Sequence, residues 1–144
     1  MEQQEAKKQA IKIITHALLV EDYIPCQKFM TVYLNQLGYQ VDATVDSATT
    51  IQNIQHKAYD LIIGDLNLKG CLSAKKVIQM VRESKLNIGT SVIVWSAYVN
   101  ERDKEKYLLW SADRALIKAC SRESLERAIY LCVINAKIQK KILL

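Results

Sequence analysis

The sequence predicts an α/β fold: a five-stranded parallel sheet with helices on both faces, built from five consecutive β–α units. Three observations predict it. Apolar runs of strand length recur along the chain, and the first and third predicted strands end in acids. Between them lie stretches whose apolar residues fall at helical three- and four-residue spacing. One Pro and four Gly in 144 residues leave too few turn formers for an all-β fold with many tight hairpins. Strands that alternate with helices imply parallel pairing and right-handed crossovers, with function at the C-terminal strand ends.

Each element has its own signal. Residues 2–13 read as a short polar helix. His16-Ala-Leu-Leu-Val-Glu-Asp22 is an apolar run ending in two acids, a buried strand with carboxylates at its end. Pro25 suits the first turn of a helix and Gly38 the position after its end. Between them Phe29, Met30, Val32, Tyr33, Leu34 and Leu37 give the apolar pattern. Tyr39 to Val45 alternates, with Val41, Ala43 and Val45 on one side, and reads as a strand. Ser47 is the expected cap of a helix over 48–57. Asp60-Leu-Ile-Ile-Gly-Asp65 is a second apolar run ending in an acid. Residues 72–84 read as a helix with Val77, Met80 and Val81 inward, and Thr90 to Ser96 as the fourth strand. Residues 100–111 form a charged helix with an apolar end at Tyr107, Leu108, Leu109 and Trp110. Arg114 to Lys118 is a short fifth strand, and Ser121 opens a long helix to about residue 142.

Composition bounds the function. Half the residues are hydrophobic and 24% charged, ordinary for a folded domain and too apolar for disorder. No apolar run approaches the roughly 18 residues of a membrane span. The N-terminus, MEQQEAKKQAIK, is charged and lacks the apolar core of a secretion leader, so the expected location is the cytoplasm. The net charge of +5 is concentrated at the C-terminus, where residues 120–144 hold five Lys/Arg against two Glu. A solvated basic helix end accounts for that excess without nucleic acid, which is not an expected partner. Cys26, Cys71, Cys120 and Cys132 form no C-x-x-C pair, and His16 and His56 stand far apart. Free thiols are expected rather than a zinc site.

The strand ends carry the chemistry. Glu21 and Asp22 end the first strand, Asp65 the third, Ser96 the fourth and Lys118 the fifth. In an open parallel sheet these ends converge on one crevice. Three crowded carboxylates repel one another unless a cation sits among them, and oxygen-only ligands favour Mg²⁺. A carboxylate beside such an ion, a hydroxyl and an ammonium is equipped to accept a phosphoryl group. No glycine-rich phosphate loop follows the first strand, so the phosphoryl group must come from a donor.

With those residues in place, the chain resembles the receiver domains of bacterial two-component signalling, which have a flavodoxin-like (βα)5 fold. The matching pieces are LLVED (18–22), YDLIIGDLNL (59–68), VIVWSAY (92–98) and SADRALIKA (111–119), within a match over about 16–130. Residues 20–44 look most like receivers attached to hybrid sensor histidine kinases. The resemblance implies that Glu21 and Asp22 are metal-binding acids and Asp65 the phosphoacceptor. It further implies that Ser96 is the switch hydroxyl and Lys118 the phosphate-pairing base. Asn67 would bind Mg²⁺ through its backbone carbonyl and affect phosphate lifetime through its side chain. The implied partner is a histidine kinase or a histidine phosphotransfer protein.

The departures from the family pattern lie on the output side. Lys69 and Ala119 stand where the family usually has Pro. A cis bond before Ala119 would cost about 2.5–4 kcal/mol, so a trans peptide is expected. Ala115 stands where the family commonly has Tyr or Phe, so no ring follows Ser96, and Tyr98 is the alternative moving part at the switch position. The expected organisation is an N-terminal helical extension over 1–15, the receiver over 16–130, and an extension of the last helix over 131–144 that can pair two copies as a homodimer. No output domain is expected to follow. The first reading is a phosphoacceptor that catalyses only its own aspartyl phosphorylation and dephosphorylation. The second is a receiver-like interaction module that works without phosphorylation.

Overall fold

The computed structural model describes residues 15–67 and 73–143. The predicted helix at 2–13 lies outside them, as do Lys69 and Cys71. Ten elements alternate strictly: β1 (Thr15–Val20), α1 (Ile24–Gln36), β2 (Tyr39–Thr44), α2 (Ser47–His56), β3 (Leu61–Gly64), α3 (Ala74–Glu83), β4 (Ser91–Ser96), α4 (Glu101–Leu109), β5 (Arg114–Ile117) and α5 (Arg122–Leu143). The strands form one sheet in the order β2-β1-β3-β4-β5, every pair parallel. This is the fold that the sequence predicts.

Side chains of one strand alternate between faces, so the sheet separates two apolar layers. Leu18, Val20, Ile62, Val92 and Val94 pack towards α2, α3 and α4. Leu19, Ile63, Ile93 and Trp95 pack towards α1 and α5, where Met30, Leu34 and Ile129 meet them. Both faces are covered, which is why β1, β3 and β4 read as near-continuous apolar runs.

Local chemistry sets the boundaries. Pro25 occupies the first turn of α1, and Gly38, at φ +97°, ends it in the left-handed region that glycine adopts without strain. The cap of α2 is Asp46 rather than Ser47: its carboxylate accepts from Thr49 N at 2.7 Å, while Ser47 is the first helical residue. Helix α4 opens with a capping box between Asn100 and Asp103.

Four apolar stretches are covered only in part, and of the residues expected to face inward Met80 differs. Phe29 and Val32 are half exposed on the outer side of α1, because the sheet meets only the stripe of Met30, Tyr33 and Leu34. On β2, Val41 is half-buried, but Ala43 and Val45 are exposed. As the edge strand, β2 is covered near its start and runs out past α1. Its other face buries Thr44, whose hydroxyl bonds to that of Thr50 at 2.7 Å. Met80 is only half-buried; Ile78 joins Val77 and Val81 in the core instead. Leu108 and Leu109 face solvent, and of the apolar end of α4 only Tyr107 is buried.

Candidate functional site

The C-terminal ends of β1, β3, β4 and β5 form one crevice. The backbone builds it: Asp65 N donates to Val20 O at 2.9 Å, and Lys118 N donates to Ser96 O at 2.7 Å. Each residue just past a strand is thereby tied to its neighbour. Gly64 makes the approach of β3 to β1 possible. It sits at φ +146°, and a Cβ there would lie 1.9 Å from Val20 O. The glycine before Asp65 is thus a requirement of the site.

Glu21 is fully buried, held by its N–H to Thr44 O at 2.9 Å and by Gln27 Nε2 donating to its carbonyl at 3.1 Å. Its Oε1 accepts a hydrogen bond from Lys118 Nζ, while its Oε2 is buried without a protein partner. Lys118 also lies over the Trp95 ring, 5.2 Å from the centroid. Burial alone would lower the Lys118 pKa. The hydrogen bond and charge of Glu21, with weaker contributions from Cys26 and Asp65, more than offset it and hold the ammonium above its usual range.

Asp65 is half-buried. Burial pushes its carboxyl pKa up and the Asp22 charge adds to that; the Asn67 N–H and the Lys118 ammonium act in opposition without cancelling it. Asn67 N donates to Asp65 Oδ1 at 3.2 Å. The Asn67 side chain points elsewhere: its Oδ1 accepts from Ala74 N at 3.3 Å, at the start of α3, and its Nδ2 donates to Tyr107 Oη at 3.2 Å.

Asp65 therefore lies within electrostatic reach of both Asp22 and Lys118, with Ser96 half-buried at the end of β4. Glu21 is drawn to Lys118, and among the described residues no three acids stand together as a closed metal cage. Ala115 is buried in the layer that holds Tyr107 and Ala112, with Trp110 against it. Tyr98 is 74% exposed. Tyr107, Gln27 and Gly64 are site-building residues that the sequence pattern did not single out. A buried Tyr needs a partner for its hydroxyl, and a Gly immediately before a strand-end acid marks a close backbone approach; both signals are present.

Comparisons with known proteins agree with this architecture. A family model described as the response regulator receiver domain matches residues 17–130. Response regulator ArlR of Staphylococcus saprophyticus is 28% identical over 112 residues, 78% of this chain and 49% of that protein. The chain spans less than half the length of the curated relatives it matches. The solved signal receiver domain of a putative LuxO repressor protein from Vibrio parahaemolyticus superposes with a TM-score of 0.80 at 23% identity, covering 90% of this chain and 98% of that one. The receiver domain of a Pseudomonas aeruginosa sensor histidine kinase, solved with a magnesium ion in its active-site cleft, gives 0.74 at 24% identity, covering 83% and 98%. With a family match across most of its length and acids, hydroxyl and ammonium at the matching strand ends, the chain belongs to the response regulator receiver domain family of two-component signalling.

Proposed function

We propose that this receiver accepts a phosphoryl group on Asp65 from the phosphohistidine of a histidine kinase or histidine phosphotransfer protein, with Mg²⁺ bound at the crevice. The observation that carries the reading is the place of Asp65: half-buried at the end of β3, within reach of both Asp22 and the Lys118 ammonium. One carboxylate oxygen accepts from Asn67 N, which orients the group and leaves the other oxygen to attack phosphorus. The new bond is Asp65 O–P. The bond that breaks is P–N to the donor imidazole, which keeps the electron pair and then takes a proton. Lys118 pairs with a phosphoryl oxygen, and Ser96 donates its hydroxyl to another.

The residues present fit a magnesium ion. Mg²⁺ takes oxygen ligands, commonly one or two carboxylates with waters completing the octahedron. Asp22 and Asp65 supply the carboxylates and Asn67 a carbonyl. The buried, unpartnered Oε2 of Glu21 offers an acceptor for a metal-bound water. Bound there, the ion supplies neutralisation of charge on the phosphoryl oxygens.

On this reading the chain is no enzyme towards other substrates; it catalyses only its own phosphorylation and dephosphorylation. With Ala115 in place of a ring, the structural response stays beside Asp65, which suits a relay or phosphate sink. Tyr130, Leu131, Ile134 and Ile138 form an exposed apolar face on α5, the surface for pairing two copies. Among the described residues no helix is long and apolar enough to cross a membrane. Incubation with acetyl phosphate and Mg²⁺, followed by intact mass, tests the central claim. One added phosphoryl group is expected in the native chain and none in Asp65→Asn; an adduct on Asp22 or Asp60 overturns it.

A further inference from the structure

At the opposite end of the sheet, ~16 Å from the phosphoacceptor crevice at ~3.3 Å per strand residue, lies a cavity of about 650 Å³. It opens where β4 and β5 begin and the C-terminal half of α5 crosses them. Its volume falls in the range of small-molecule sites. No residue of the phosphoacceptor crevice lines it, and no aromatic side chain does among the described residues.

The strand register fixes which side chains face it. Ser91 lies two residues before Ile93, so it shares the α5-facing side of β4. Arg114 pairs with Ile93 across the sheet and points to the same side, where it lines the cavity with Cys132 of α5. Ser91 is 2% exposed, and its hydroxyl has no hydrogen-bond partner. A buried hydroxyl left unpaired costs free energy, and native structures rarely carry one without a reason. Here it lines a cavity.

The charge is also unbalanced. Asp113 is charge-paired: its Oδ2 accepts from Arg82 at 3.0 Å and from Val92 N at 2.7 Å. Arg82 is consumed in turn, by Asp113 and by the carbonyls of Ile88, Thr90 and Ser111. Arg114 has no ion-pair partner among the described residues. One uncompensated positive charge therefore faces a cavity whose remaining polar lining includes the neutral amides of Asn135 and Gln139.

We propose that this cavity binds a small organic anion, a non-aromatic carboxylate or phosphate ester, with its charged group on Arg114 and an oxygen accepting from the Ser91 hydroxyl. The guanidinium fork matches either head group, and the absence of an aromatic wall disfavours a nucleobase. Binding here is independent of the chemistry at Asp65.

The test is an amide-shift titration of the whole chain with citrate, glycerol 3-phosphate and inorganic phosphate, each at millimolar concentration. Saturable shifts at Ser91, Asp113 and Gln139 are expected with citrate or with glycerol 3-phosphate, which separates a carboxylate from a phosphate-ester ligand. Arg114→Gln should weaken that binding tenfold or more. Ser91→Ala should weaken it several-fold while leaving the free protein at least as stable, because it removes an unpaired hydroxyl. That second variant keeps the test valid if Arg114→Gln folds poorly. The proposal is overturned if neither organic anion gives saturable shifts, if inorganic phosphate binds as well as they do, or if binding survives unchanged in Ser91→Ala.

Discussion

Lys118→Met is the sharpest perturbation of the crevice. Glu21 is fully buried, and Lys118 Nζ is the protein donor to its carboxylate, the second oxygen having none. The Lys118 side chain is itself only 17% exposed. Methionine keeps the aliphatic length over Trp95 but removes the ammonium, so a carboxylate is left alone in the interior. Breaking a buried pair on one side costs about 3–5 kcal/mol, far more than the 0–1 kcal/mol of a surface pair. With a urea m-value of ~2 kcal/mol/M, the unfolding midpoint should fall by ~2 M at unchanged m. The melting temperature should drop by ~10–20 °C for a chain of this size. The loss should persist at high salt, since a buried pair is little screened. Glu21→Leu combined with Lys118→Met should recover most of it, because replacing both partners of a buried pair by apolar residues is near neutral. Metal-free urea unfolding of the native chain, the single variant and the double variant decides the matter. A single-variant loss under ~1 kcal/mol, the value of an exposed pair, would refute the reasoning, as would a double variant no better than the single.

Gly64→Ala should be among the costliest single-methyl changes in the chain, because the new Cβ would meet Val20 O at 1.9 Å with φ at +146°; thermal melts should show a large drop, and phosphoryl uptake should fall with it. Asp65→Asn should abolish uptake yet leave the protein at least as stable at neutral pH. Burial raises the Asp65 pKa, so the native state holds its proton to higher pH than the unfolded chain. Native stability is therefore eroded as pH rises from the ordinary carboxylate value through that raised pKa. The advantage of the Asp65→Asn variant should vanish in acid and be full above the window, as paired urea titrations across pH would show. Asp22→Ala should lose most Mg²⁺ affinity in calorimetry, and native Trp95 emission should respond to the ion while the variant's does not. Truncation after residue 135 removes Ile138 from the exposed face of α5 and should lower self-association in sedimentation; an unchanged monomer would remove the homodimer reading.

What was legible in the sequence follows from burial on two faces. Strands β1, β3 and β4 are covered on both sides, so their apolar runs announced them. The edge strand β2 was legible as a strand, but which of its sides is buried was not, since edge position depends on sheet order rather than on local pattern. The same holds for Phe29, Val32, Leu108 and Leu109: helical spacing shows which residues share a face, while the sheet's extent decides how much of that face is covered. Strand-end chemistry was legible because strand ends of a parallel sheet converge whatever the details. The Asp46 cap and the pairing of Glu21 with Lys118 were not. Side-chain partners 97 residues apart depend on rotamers that sequence spacing does not encode.

The absence of a ring on β5 can be read differently once packing is visible. Ala115 shares its buried layer with Tyr107 of α4, and Trp110 lies edge-on to that ring at 5.7 Å. The aromatic that serves this region thus comes from a helix instead of a strand. Its hydroxyl reaches Asn67, whose backbone N–H holds Asp65. Two hydrogen bonds therefore connect the Asp65 carboxylate to α4 without passing through Ser96. Asn67 also accepts from Ala74 N, so the same side chain ties the segment after β3 to the first turn of α3. Each link is a single bond at 3.2–3.3 Å to a solvent-exposed amide, worth about 1 kcal/mol or less. A chain of such bonds can report a change beside Asp65 to the start of α3 and the last turn of α4. It is too weak to drive a rearrangement of a packed layer that buries Val94, Tyr107, Ala112 and Ala115 together. That balance of energies, more than the missing ring, favours a local response at this receiver over a long-range one.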